Sequence, residues 1–350
     1  MSISAGTYTF GTSGAYATLR AALQDIVIGS PLTGDLVFNQ VGDSVDSLSI
    51  NAAGNIDFSG YRITISQPAP DHDGDPNASY ICTGPSLTIA GATSAGSLTF
   101  SNFLYLGGAV FLSPAIALND LNALGHSVDL VNSVFIYSGT TGTFMTVQSP
   151  SGNGSGTGWY LRIAATKIFG GNIPLLFGGT SSALSNIARL NVLIENSAMV
   201  SRSGGTTPLF LSFLVGSPPT PIANLKVRNT VCWVGNVGQP GMIISGSVYT
   251  GAYLTANCLF SNARNPATDT LPGWTSAAIT SPGDILNLNS SMAHFAETDP
   301  VSGIYVAGTA PQISFNPYTS APYPIGLYYA PPVPPPTVDS WWMPAFAGGF

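Results

Sequence analysis

Three aspartates spaced two residues apart, Asp71, Asp73 and Asp75 in PDHDGDPN (70–77), are the densest group of metal-ligating side chains in the chain. Carboxylates alternating with a glycine look like the first half of a Ca²⁺ loop. The closing glutamate of such a loop is missing, and Asp, Gly, Asn and Pro together also build ordinary turns. Two readings stand: a turn, or a Ca²⁺ site on Asp71, Asp73 and Asp75. No other cofactor is expected. Glycoside cleavage would need two carboxylates facing each other across a sugar. Glu195 is the one acid between Asp129 and Asp269, so no such pair falls at aligned positions, and no catalytic residue is expected.

The remaining reactive side chains are scattered. His72 lies in the acidic stretch, whereas His126 and His294 fall in separate repeats. Cys82, Cys232 and Cys258 form no CxxC pair and no metal-ligand spacing. Their odd number and an expected intracellular synthesis predict free, buried thiols. The glycine-rich SPSGNGSGTG (149–158) lacks the Gly-Lys-Ser/Thr ending of a phosphate cradle and reads as a loop.

One polar residue does recur. The segments LTFSNFLYLGG, VDLVNSVFIYSG, LRIAATKIFGG, VLIENSAMVS, LKVRNTVCWVG, YLTANCLFSN and ILNLNSSMAHF align on Asn102, Asn132, Ala165, Asn196, Asn229, Asn257 and Asn289, at spacings of 30, 33, 31, 33, 28 and 32 residues. An earlier, degenerate copy, IDFSGYRITIS, places Gly60 there. Each copy is two short strand-like runs joined at the amide, rich in β-branched and aromatic residues. Apolar residues alternate with period 2, which excludes helical repeats. A unit of about 31 residues used seven or eight times is a solenoid signature.

In a parallel β-solenoid, equivalent residues of successive coils stack about 4.8 Å apart. An asparagine at a tight bend tolerates the left-handed backbone region. Its amide then bonds the amide one coil along, forming a ladder. On these residues the chain resembles the right-handed, pectin-lyase-like parallel β-helices, over roughly residues 45–307. The resemblance implies an all-β, single-stranded right-handed parallel β-helix with a structural ladder of Asn102, Asn132, Asn196, Asn229, Asn257 and Asn289, interrupted at Ala165 and Gly60. The catalytic signatures of the enzymes in that family do not carry over. Gly125-His126 is the lone Gly-His, RIK is absent, and RIA (162–164) lacks the lysine.

The flanking positions agree with a stack. Four residues before the amide stand Leu98, Val128, Leu161, Val192, Leu225, Tyr253 and Ile285, expected inward. Three before it stand Thr99, Asp129, Arg162, Leu193, Lys226, Leu254 and Leu286, expected outward. Asp129 with Arg162, and Glu195 with Arg228, would then form ion pairs between coils.

The ends differ from the middle. Residues 14–28, GAYATLRAALQDIVI, pattern as an amphipathic helix with Leu19, Ala22, Leu23 and Ile26 on one face. Such a helix would cover the exposed sheet edge within an N-terminal cap of residues 1–47. The solenoid would span 48–307. Residues 308–350 form a Pro/aromatic arm in which APPVPPP favours polyproline II. Trp341, Trp342, Phe346 and Phe350 follow. They either dock into a partner as anchors or fold back onto the last coil. YATLRAAL with LTGDLVFNQVGD looks like the opening of β-helix proteins encoded by tailed phages and prophages.

Composition narrows the partners. Only 7% of the 350 residues are charged, with nine Lys and Arg and a net charge of −7. Nucleic-acid binding needs basic clusters, and none is expected. No apolar run reaches the ~18 residues that span a bilayer, so no membrane insertion is expected. The opening MSISAGTYTF has no secretory pattern, and synthesis in a host cytoplasm follows. So uncharged a surface calls for assembly. The expectation is a non-enzymatic virion structural protein, a homotrimeric capsid decoration or head-spike protein contacting the major capsid protein on the virion surface. A phage tailspike or fibre binding a host glycan is the first alternative; a polysaccharide lyase or hydrolase is the second.

Overall fold

The computed structural model describes residues 3–26, 30–67, 80–92, 94, 96–113, 126–137, 142–147, 158–164, 166–178, 189–195, 197–201, 209–212, 222–228, 230–233, 242–245, 253–256, 259–260, 296–297 and 323–324. The chain passes again and again through the same sheets. Its first pass holds β1 (Gly6–Phe10) and α1 (Leu19–Gln24). The second holds β2 (Leu36–Gln40), β3 (Ser44–Val45) and β4 (Ile50–Ile56). The third holds β5 (Arg62–Ser66) and β6 (Cys82–Ala92), the fourth β7 (Ser97–Ser101) and β8 (Leu104–Ser113).

The next four passes carry three strands each among the described residues. They are β9 (His126–Val131), β10 (Val134–Tyr137) and β11 (Thr143–Val147), then β12 (Gly158–Ala164), β13 (Lys167–Phe169) and β14 (Ile173–Gly178). Next come β15 (Arg189–Glu195), β16 (Ala198–Val200) and β17 (Leu209–Ser212). β18 (Ile222–Arg228), β19 (Val231–Trp233) and β20 (Met242–Ser245) follow, with β21 (Tyr253–Ala256) and β22 (Leu259–Phe260) last. A separate antiparallel pair joins β23 (Ala296–Glu297) to β24 (Tyr323–Pro324).

The strands before each amide bend form one nine-stranded parallel sheet in the order β1-β2-β5-β7-β9-β12-β15-β18-β21. Strands after the bend form a second, thirteen-stranded sheet that forks. The long β8 pairs with β10 through its first half and with β11 through its second. Two ribbons continue from there, β10-β13-β16-β19-β22 and β11-β14-β17-β20. On its other side β6 carries β3 and β4 in the same way. The third strand of each pass, such as TFMTV or IPLLFG, is an addition to the two-run repeat read from sequence. Its apolar residues do not alternate, so period 2 does not find it.

Alternation explains the core. Leu98, Val128, Leu161 and Val192, with Phe100, Leu130, Ile163 and Ile194, are all buried, stacked in two columns by the register. Thr99, Asp129, Arg162 and Leu193 alternate with them and are partly exposed. Opposite lies the column Cys82, Tyr105, Phe135, Ile168, Met199 and Cys232, each fully buried. Burial of side chains this size contributes about 1.5–3 kcal/mol apiece. That supplies the force closing the sheets on each other.

At two places neighbouring passes approach too closely for any side chain. A Cβ on Gly108 would lie 1.4 Å from the carbonyl oxygen of Pro85 on the neighbouring strand. Gly170 takes up the later corner at φ +117°, where a Cβ would lie 2.2 Å from the Tyr137 carbonyl oxygen.

The helix is shorter than the pattern over 14–28. Thr18 caps it, its hydroxyl accepting from the Ala21 N–H at 3.2 Å, and Asp25 ends it. Residues before the cap are committed elsewhere. Tyr16 bridges to Phe10, and the Ala15 N–H bonds the Thr9 hydroxyl at 2.9 Å. Leu19, Ala22 and Leu23 are buried, and the helix lies against β4. β1 and β2, within residues 1–47, already belong to the nine-stranded sheet.

Candidate functional site

Among the described residues, amide and hydroxyl side chains line the bend after the nine-stranded sheet. Asn102 and Asn132 sit there at φ 53° and 56°. Asparagine enters this left-handed region more readily than most residues. The Asn132 amide donates from Nδ2 to Asn102 Oδ1 at 2.5 Å.

The register extends the column in both directions. Ser66 pairs with Ser101 and Asn39 with Ser66, which puts Gln67 and Gln40 in the place of the asparagines. Gln67 Nε2 donates to Gln40 Oε1 at 3.1 Å and to the Tyr80 carbonyl at 2.6 Å. The sequence alignment had put Gly60 here, and the structure corrects it. Gly60, at φ +86°, lies at the corner before β5, while Ile63 and Ile65 take the inward places of Leu98 and Phe100. Forward, Val131, Ala164, Glu195, Arg228 and Ala256 pair in register, and the expected ladder continues from there through Ala165, Asn196, Asn229 and Asn257. These residues and Asn289 lie outside the described residues.

A second column runs one residue further on, and the sequence reading missed it. The Phe103 N–H donates to the Ser133 hydroxyl (3.2 Å), the Ser133 N–H to Thr166 Oγ1 (3.4 Å), and the Thr166 N–H to the Ser197 hydroxyl (3.2 Å). Each hydroxyl also donates to a carbonyl two residues back, at 2.8, 2.9 and 2.7 Å. Ser133, Thr166, Ser197 and Thr230 are fully buried. The signal was present as the pairs Asn-Ser, Ala-Thr, Asn-Ser and Asn-Thr. Hydroxyls bonding nearby backbone are ordinary bend chemistry; here they also hold the next pass.

Charged groups serve the same end. The Asp35 carboxylate accepts from the Arg62 N–H, and Asp43 from the Ile81 N–H, both at 2.9 Å between neighbouring passes. Asp57 Oδ1 accepts from the hydroxyls of Ser94 and Ser59 and from the Ser59 N–H. The Ser94 bond outweighs the opposing effect of partial burial, and with Ser59 it holds Asp57 below the ordinary carboxylate range. Asp129 pairs in register with Arg162, as Glu195 does with Arg228. Arg162 pairs diagonally with Glu195 and not with Asp129, Nη2 to Oε1 at 3.7 Å; the Arg228 side chain lies outside the described residues. Glu195 is buried, and Asp129 accepts from the Ser127 hydroxyl at 3.0 Å.

Cys82 is a free, buried thiol and Cys232 is buried; Cys258 lies outside the described residues. Burial pushes the Cys82 thiol far above its ordinary range, against a hydrogen bond with Ser44. Burial likewise raises the Tyr105 phenol, whose hydroxyl donates to the Gly84 carbonyl at 2.9 Å. A thiol so hard to ionise is a poor nucleophile.

Asp71, Asp73 and Asp75, and the arm residues Trp341, Trp342, Phe346 and Phe350, lie outside the described residues. Among the described residues no group of His, Cys, Asp and Glu is arranged to hold a metal ion. No helix there is long and apolar enough to cross a membrane. Comparison with protein-family models, curated proteins and solved structures finds no match to this chain.

Proposed function

We propose that the chain is a single right-handed parallel β-helix, and that it works as a non-enzymatic structural protein on the surface of a tailed-phage virion. In this reading it is a capsid decoration or head-spike protein. It is made in the host cytoplasm and assembles as a homotrimer on the major capsid protein. Trp341, Trp342, Phe346 and Phe350 anchor the arm to that partner.

One observation carries the structural part. The polar side chains of the bends are used in bonds from one pass of the chain to the next. A protein so built resists shear and slippage along its stack, which suits a rod or spike. The phage part rests on the likeness of YATLRAAL and LTGDLVFNQVGD to phage-encoded openings, and the assembly part on the 7% charged composition.

The test is a native mass of the purified chain followed by cryo-EM of the particle that carries it. Ordered density on the capsid lattice, three copies per site, is the expected result. Density at the tail tip alone would overturn it in favour of a glycan-binding tailspike or fibre. A monomer on no particle that depolymerises polysaccharide would establish a lyase or hydrolase instead.

A further inference from the structure

We draw no further inference here: the strongest candidate, the surface patch of exposed apolar side chains where β3 pairs with β6, formed by Val45, Leu48 and Tyr80, carries nothing because nothing in the structure shows what covers it.

Discussion

The passes from β1 to β8 and those from β9 onward are held together by different means. In the first region every bend is individual. Asp35, Asp43 and Asp57 each clamp a different backbone N–H, Gln67 bonds Gln40, and in the second sheet the long β6 and β8 run side by side with Gly84 opposite Gly107. In the second region one bend is repeated, with the hydroxyls of Ser133, Thr166 and Ser197 in step from pass to pass. Repetition lets a single side-chain type hold many passes. Where the bend residue changes from pass to pass, side-chain-to-backbone bonds such as Asp35 to Arg62 and Asp43 to Ile81 hold neighbouring passes together.

The largest effect should come from the close approach of β8 to β6 at Gly108. Gly108→Ala puts a methyl into the Pro85 carbonyl, and both partners are backbone. A loss of about 3 kcal/mol or more is expected, measured by denaturant unfolding. A loss under about 1 kcal/mol would mean the corner yields, and the two regions would not differ in rigidity.

Next is the contrast between the two amide pairs. Asn132→Leu removes the bond to Asn102 and forces a branched residue to φ 56°, for about 2–3 kcal/mol in all. Gln67→Leu loses its bonds without that backbone strain, for about 1–2 kcal/mol. Equal losses would show that the hydrogen bonds, and not the left-handed backbone, distinguish the bends.

Alkaline pH should weaken the first region. Cys82 and Tyr105 have raised pKa values in the folded chain. Their contribution is intact below the unfolded values of about 8.5 and 10 and is lost as pH rises past them. Stability should fall by up to about 1.4 kcal/mol per pH unit for each group. Cys82→Ala should remove the part that begins near pH 8.5. An unchanged slope in that variant would sink the assignment.

The smallest effect is at acid pH. The pKa of Asp57 is lowered, so its contribution is present above about 3.9 and is lost as pH falls through the lower folded value. Asp57→Asn should flatten the acid limb of the midpoint slightly, since the group is partly exposed and its bonds are screened. No change in that limb would leave the Asp57–Ser94 contact without energetic weight.

Period-2 alternation and a recurring amide are local properties, and a sequence displays them. Leu98, Val128, Leu161 and Val192 could be assigned inward because each is flanked by polar or mixed neighbours at the strand spacing, and side-chain direction reverses at every residue. The match of Asn102 with Asn132 could be read because a stacked bend demands the same left-handed backbone each time. Three things were decided only by the tertiary structure. The column begins with Gln40 and Gln67, since glutamine does not announce a bend. Arg162 chooses Glu195 over Asp129, since a long side chain on a sheet reaches diagonal neighbours and Asp129 is already bonded by Ser127. The second sheet forks at β8, since one strand long enough to turn a corner can pair with two. Each depends on distances between passes some 30 residues apart in the chain. Local pattern carries no record of those distances, and they exist only once the passes are stacked.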